Sequence, residues 1–132
     1  MARLMLPFPP PELRANLRAG AHWSASHAAK KRYALSCLAV IKSYNWGPVV
    51  PGCVPLLVVA HIAKGQRSPD LSDLGFWVKT AIDVLVEEGV FENDSPRYLN
   101  PFVSTIGKTR VATPGVELVW GEDAKSAIKE LL

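Results

Sequence analysis

The segment from Val54 to Ile62 constrains the fold more than any other part of the chain, because it is apolar at almost every position. In an extended conformation its side chains alternate between two faces, and both faces are rich in Val and Leu. That pattern is typical of a central strand covered on each side. The wider apolar run, Cys53 to Ala63, is well short of the roughly 20 residues that cross a bilayer. Within it, His61 is more typical of a packed histidine than of a ligand.

The first predicted helix lies ahead of this strand. It begins at a serine cap, Ser24 or Ser26, and runs to about Ser43. Apolar residues recur along it at the spacing of one helical face, and these are Ala34, Cys37, Leu38 and Ile41. Another face carries Lys31, Leu35 and Lys42. An exposed basic face of this kind is as typical of ordinary solvation as of a nucleic-acid contact.

The second predicted helix is the clearest element. Its apolar residues follow the helical period, and these are Leu74, Trp77, Val78, Ala81, Ile82 and Leu85. Gly89 is expected to end it, because glycine readily adopts the left-handed conformation that follows many helices. Further strands are predicted at Arg3 to Leu6, Tyr98 to Thr105 and Val116 to Trp120, and a last helix at Glu122 to Leu131.

These elements predict an α+β fold, in which a small mixed sheet with the order β-α-β-α-β-β has helices packed against it. The 132 residues suit a single domain over residues 1–132, since a typical domain has roughly 100 to 150 residues. Cys37 and Cys53 lack the spacing of a zinc site or a disulfide framework, which favours structural thiols. The N-terminus lacks the long apolar region of a signal peptide, so we expect a cytoplasmic protein.

The charge of the chain permits a nucleic-acid partner without requiring one. The formal net charge is +3, and acidic residues concentrate in the second half. Basic residues gather in the first half, and these are Lys30, Lys31, Arg32, Lys42, Lys64 and Arg67. Because the net charge is modest, the positions of the basic residues indicate more about a nucleic-acid contact than the net charge does.

Polar residues around the second helix could carry chemistry. Asp70 directly precedes the helix and Ser72 lies at its start, Lys79 and Asp83 share its exposed face, and Asp94 lies on the loop beyond. Carboxylates from two segments beside a lysine could hold a divalent cation against a phosphate. Each residue also has a structural interpretation, as a helix cap, an i, i+4 pair or a turn former. Nucleotide-binding loops and the H-E-x-x-H and G-x-S-x-G motifs are absent from the sequence.

The order and spacing of these residues resemble the signature of the RusA family of Holliday junction resolvases. The run Asp70-Leu71-Ser72-Asp73-Leu74, with Lys79, Asp83, Leu85, Gly89-Val90 and Asp94, is similar to the family pattern D-x-D-N-L, K-x-x-x-D-x-L, G-V and D-D. The opening Leu6-Pro7-Phe8-Pro9-Pro10 resembles the family's L-P-W-P-P, and Asn16, Arg18, His22 and Trp23 resemble its polar loop. The resemblance covers residues 4 to 105, and it implies a RusA-like fold.

The resemblance also implies an activity. Such a protein is a homodimer, commonly carried by phages, that binds four-way DNA junctions and resolves them by paired nicks in recombination and repair, using Mg²⁺ with Mn²⁺ as a substitute. The implied catalytic residues are Asp70, Lys79 and Asp94, with Ser72 and Asp73 as further metal ligands beside Asp70 and Asp94. The DNA-binding candidates are Asn16, Arg18, Lys30, Lys31, Lys42, Lys64 and Arg67.

Three positions depart from the family pattern. Ser72 stands in place of the second aspartate, Asp73 in place of the asparagine, and Asn93 in place of the first residue of the D-D pair. A hydroxyl can complete a coordination shell but supplies no negative charge. Two alternatives therefore stay open: a RusA-like protein that binds branched DNA without cleaving it, and a protein-interaction domain that does not bind DNA.

Overall fold

A four-stranded mixed sheet organises the chain. The computed structural model describes residues 3–10, 23–44, 52–66, 71–95 and 97–131, and for the helical residues 23–26 and 71–77 it describes the backbone alone. In chain order the elements are β1 (Arg3–Pro7), α1 (Trp23–Lys42), β2 (Val54–His61), α2 (Leu71–Glu87), β3 (Leu99–Ile106), β4 (Gly115–Trp120) and α3 (Glu122–Leu131). The small mixed sheet with helices against it, predicted from the sequence, is confirmed.

The sheet has the strand order β1-β4-β2-β3. β2 pairs in parallel with β3 and antiparallel with β4, while β1 pairs antiparallel with β4. β3 and β4 follow each other in the chain but lie on opposite sides of β2. α2 links the parallel strands β2 and β3, because two parallel neighbours need a connection that crosses the sheet.

β2 is covered on both faces, as its apolar pattern predicts. Leu56 and Val58 are fully buried in the main core beneath α1 and α2. Leu57, which points to the opposite face, packs with Val119 and with Ala124 of α3. His61 is half-buried, and its Nε2 lies 2.9 Å from Glu117 Oε1 on β4, as expected of a packed histidine.

The helices agree with the predicted faces, with one correction at the start of α1. Lys31, Leu35 and Lys42 are all exposed, and Gly89 adopts a φ of 80° just beyond α2, as predicted. α1 begins at Trp23, so the predicted cap at Ser24 or Ser26 is wrong and both serines lie inside the helix. Serine is common both at the cap and in the first turn, so its presence alone does not locate the helix start. Within the described residues, no helix has the length and apolarity needed to cross a membrane.

The two cysteines are free thiols in different environments. Cys37 is fully buried on α1 beside Tyr33, whose hydroxyl donates a 2.7 Å hydrogen bond to the Pro7 carbonyl and so ties α1 to the end of β1. Burial raises the pKa of the Cys37 thiol to about 11. Cys53 is exposed, with its Sγ 3.3 Å from the Asn100 carbonyl oxygen.

We expect the two thiols to react at very different rates with a thiol-specific disulfide reagent at pH 8. The thiolate is the reactive form of cysteine. Because the pKa of Cys37 is about 11, only about a thousandth of this thiol is ionised at pH 8. The native protein should therefore release one equivalent of chromophore quickly and a second only after unfolding in urea. A Cys53→Ala variant is the control and should lose the fast phase. Rapid release of two equivalents from the folded protein would contradict the burial of Cys37.

Candidate functional site

Two of the predicted site residues, Lys79 and Asp94, line one cleft. The cleft has a volume of about 190 Å³ and is also lined by Ile82 and Phe102. Lys79 is exposed midway along α2, Asp94 is exposed on the loop that follows α2, and Phe102 is on the edge strand β3. The fold thus brings a cation and a carboxylate from separate segments to the same concave surface, as the site hypothesis requires.

The loop that carries Asp94 is held by hydrogen bonds from backbone N–H groups to the Asn93 side chain and to the Ser95 carbonyl. Asn93 Oδ1 accepts a 3.0 Å hydrogen bond from the Ser95 backbone N–H, which is the Asx-turn arrangement. The Ser95 carbonyl in turn accepts hydrogen bonds from the Tyr98 and Leu99 N–H groups as the chain enters β3. Asn93 therefore builds the turn, while the next residue, Asp94, faces the cleft.

The charged groups of the cleft are the Lys79 ammonium and the Asp94 carboxylate. In the part of the chain that the structure describes, neither Lys79 nor Asp94 makes an ion pair or a side-chain hydrogen bond. The donor chemistry suits magnesium, because this hard cation prefers oxygen ligands and a carboxylate is one of the commonest. Asp94 thus fits the role of a ligand, and the ammonium of Lys79 fits that of a phosphate partner.

The remaining predicted ligands belong to the sequence at and directly before the start of α2. Asp70 is outside the described residues, and Ser72 and Asp73 lie in the first turn of α2, where the backbone alone is described. Lys79 lies eight residues after Leu71 on α2, which corresponds to a rise of roughly 12 Å along the helix axis. Among the side chains described, no group of three or more His, Cys, Asp or Glu residues could hold a metal ion. The side chains of the predicted ligands Asp70, Ser72 and Asp73 are not among those described. That Asp70 and Asp94 share an ion stays a prediction.

Asp83 lies about one helical turn after Lys79 on α2, but it does not line the cleft that contains Lys79 and Asp94. Asp83 is half-buried and lines a second groove, of about 240 Å³, between α1 and α2. This groove also contains His27, Lys30, Lys31, Ala34, Thr80, Val84 and Glu87. α1 contacts α2 at this groove and β3 contacts it at the cleft, and the helical wheel alone does not reveal which of these neighbours a residue of α2 faces.

The predicted DNA-binding lysines are exposed but not equivalent. Lys30 and Lys31 border the groove that contains Asp83 and Glu87. Lys42 lies at the other end of α1, where its Nζ is 3.6 Å from Glu88 Oε1. Lys64 is exposed in the turn after β2. Asn16, Arg18 and Arg67 lie outside the described residues.

Sequence reasoning missed Phe102 as a lining residue of the cleft. Its side chain is 42% exposed, which is high for a large apolar residue. In the sequence it follows Pro101 inside a predicted strand. Proline inside a strand favours an edge position, so this pair of residues was the signal that could have placed Phe102 at an exposed edge.

Comparison with known proteins identifies no family for this chain. The chain matches no protein-family model, and no curated protein matches it. The resemblance to RusA resolvases therefore depends on the sequence residues given above.

We predict that Asn93→Ala lowers the free energy of unfolding by about 0.5 to 1.5 kcal/mol, because the Ser95 N–H loses its acceptor. Asn93→Asp, which keeps a side-chain oxygen at the same position, should retain most of the wild-type stability. Urea unfolding followed by circular dichroism measures the difference, with the exposed neighbour Glu92→Ala as the control. A loss no larger for Asn93→Ala than for Glu92→Ala would show that the turn does not need this side chain.

Proposed function

We propose that the protein is a Mg²⁺-dependent, structure-selective DNA endonuclease that resolves Holliday junctions by paired nicks, as the RusA resemblance implies. The observation that carries the proposal is the cleft in which Lys79 and Asp94, two residues of the family signature from separate segments, lie together. Unrelated structural roles for the two residues, in a turn and on a solvated helix face, would not require a common cleft. The proposal includes a homodimer that acts in the cytoplasm of the host cell, with Mn²⁺ able to replace Mg²⁺.

The residues divide the chemistry between them. Asp70 and Asp94 would hold the ion, with Ser72 or Asp73 completing the shell. When bound, the ion would lower the pKa of a neighbouring water and stabilise negative charge on the phosphate. Lys79 places its ammonium beside the scissile phosphate and offsets the charge that develops during attack. Hydrolysis joins the oxygen of water to phosphorus and breaks one P–O ester bond, and the departing sugar oxygen takes a proton.

The surface beside the cleft supports an extended DNA contact. α2 separates the cleft from the groove that Lys30 and Lys31 border, so a strand lying across α2 could meet both. Two such sites on a twofold dimer suit a four-way junction, whose arms are related by approximate twofold symmetry. The candidate contacts at Lys42, Lys64, Arg67, Asn16 and Arg18 belong to the same proposal.

A second candidate function is favoured by one residue. Ser72 stands where the family pattern has an aspartate, so a negative charge is missing from the start of the second helix. A divalent cation is held more weakly when fewer carboxylates surround it. A protein that binds branched DNA without cleaving it is the function that this loss favours. The first assay below distinguishes it from the resolvase.

The first prediction concerns metal-dependent nicking of a labelled synthetic four-way junction. We expect the wild-type protein to nick the junction in Mg²⁺ or Mn²⁺, and Asp70→Asn and Asp94→Asn each to lower the rate by about 100-fold or more, because each removes a carboxylate from the charge-stabilising site. Ser72→Asp should preserve or raise the rate. Glu92→Gln, two residues from Asp94 on the same exposed loop, is the charge-matched control and should cleave normally.

Three outcomes of this assay are informative. Undiminished cleavage by Asp70→Asn would remove the proposed metal site. Tight junction binding without nicking, by the wild-type protein and by Ser72→Asp alike, would favour the non-cleaving alternative. The absence of binding to any branched or duplex DNA at low salt would favour a protein-interaction domain.

The second prediction concerns the salt dependence of junction binding. Each lysine that contacts a phosphate contributes about 0.9 to the slope of log affinity against log salt concentration, because binding releases a condensed counterion. The double variant Lys30→Ala and Lys31→Ala should therefore flatten the slope measured by fluorescence anisotropy. The control, Lys125→Ala with Lys129→Ala, removes the same charge from exposed positions on α3, which packs on the opposite face of the sheet. Equal slopes for the two double variants would contradict a specific contact along α1.

A further inference from the structure

A shift in strand register turns Phe102 toward the face of the sheet that α1 and α2 cover. β2 pairs in parallel with β3, and Val54 lies opposite Leu99 while Leu56 lies opposite Phe102. Between these two pairs β2 advances by two residues and β3 by three, so β3 contains one extra residue. Without it, alternation along the strand would point Phe102 away from the face that contains the buried Leu99. The extra residue redirects the strand and places Phe102 on the same face as Leu56.

The Phe102 ring is only partly covered on that face. Its neighbour Leu56 on the central strand β2 is fully buried, whereas Phe102, on the edge strand β3, is 42% exposed. The ring lines the cleft together with Lys79 of α2. In the part of the chain that the structure describes, it has no aromatic partner, unlike Phe91, whose ring meets that of Trp120 edge to face at a centroid distance of 5.4 Å. Part of an aromatic surface is therefore open to a ligand that enters the cleft.

The charges that line the same cleft indicate the class of ligand. A nucleotide combines a flat base with a negatively charged phosphate, and proteins that bind single strands combine aromatic rings with basic groups for this reason. The cleft offers both parts, the ring of Phe102 and the ammonium of Lys79. The alternative occupant is an apolar segment of a second copy of the chain, but charged residues are depleted from the buried centre of protein interfaces. Because Lys79 and Asp94 both line the cleft, a nucleotide fits it better.

We propose that Phe102 is a specificity-determining residue, which stacks on an unstacked nucleobase next to the phosphate that Lys79 binds. This role rests on the proposed function, because it presumes that a DNA strand lies in the cleft, but it requires neither the metal ion nor cleavage. A base within a continuous duplex is stacked on both faces, and exposing one of them costs free energy. At the exchange point of a four-way junction the continuous stack ends, so a base there is more easily exposed. Phe102 therefore favours branched DNA over linear duplex.

The test compares the affinity of the full-length protein for a labelled synthetic four-way junction and for a linear duplex of the same arm sequence. Fluorescence anisotropy measures both affinities without divalent ions, so that no strand is cleaved. Loss of an aromatic ring that stacks on a base weakens binding by about 5- to 100-fold, so we expect Phe102→Ala to bind the junction at least about 5-fold more weakly. Its affinity for the duplex should stay at the wild-type value. The control is Met5→Ala, which removes an exposed apolar side chain from β1, the opposite edge of the sheet, and should bind both DNAs normally.

Two further variants separate stacking from a general apolar contact. Phe102→Trp keeps an aromatic face and should keep the preference for the junction, whereas Phe102→Leu keeps apolar surface without that face and should lose most of it. The slope of log affinity against log salt concentration should be the same in all three Phe102 variants as in the wild-type protein, because the ring carries no charge and releases no counterion. If Phe102→Ala does not fold, Phe102→Leu takes its place in the comparison.

The outcomes separate this proposal from the proposed function. Unchanged junction affinity in Phe102→Ala, with a wild-type protein that nicks junctions, would overturn the stacking role alone. Equal losses for junction and duplex, or a Phe102→Leu variant that binds the junction as tightly as the wild-type protein, would also overturn it. Light scattering that showed dissociation of a wild-type dimer on Phe102→Ala would assign the ring to an interface between copies instead. A wild-type protein that prefers junctions through Phe102 but never nicks them would support the stacking role and overturn the resolvase, and one that binds no DNA would overturn both.

Discussion

The burial of β2 on both faces is the constraint from which the rest of the arrangement follows. An apolar strand of this kind must be hydrogen-bonded along both edges and covered above and below, since its backbone groups and side chains are removed from water together. β3 and β4 satisfy its edges, α1 and α2 cover one face, and α3 covers the other. Because β3 runs parallel to β2, the chain must return across the sheet through α2, and this return brings the loop with Asp94 beside the edge strand β3.

The candidate site lies along the helix that this topology requires. α2 presents Lys79 to a cleft shared with Asp94 on one flank and Asp83 to a groove shared with α1 on the other. The acids Asp83 and Glu87 line that groove together with Lys30 and Lys31. Lys79 is the basic residue that α2 itself carries, and it lines the cleft.

The sequence predicts those features whose physical cause is local. The two-faced apolar run of β2, the helical period that ends at Gly89 and the exposed face of α1 each need only a few neighbouring residues, and each agrees with the structure. The separation of β3 and β4 by β2 depends on long-range pairing, which no local pattern encodes. The same limit applies to Asp83, whose surroundings depend on how α1 packs against α2. It applies also to Arg110, whose Nη1 donates hydrogen bonds to the backbone carbonyls of Ala63 and Gln66, more than 40 positions away. Asn93 is an intermediate case, because its Asx turn is local, but from the sequence this residue is notable only as standing in place of a family aspartate.

The proposed metal site requires that the carboxylates of Asp70, directly before α2 in the sequence, and of Asp94, on the loop after it, hold one ion. Nuclear magnetic resonance with paramagnetic Mn²⁺ tests this requirement most directly. Substoichiometric Mn²⁺ should broaden the amide signals of Asn93, Asp94 and Ser95 in the wild-type protein. In Asp70→Asn the same addition should leave these signals sharp, because the shared ion is no longer held. Broadening around Asp94 that persists at the same Mn²⁺ concentration in Asp70→Asn would show that the two carboxylates do not share an ion.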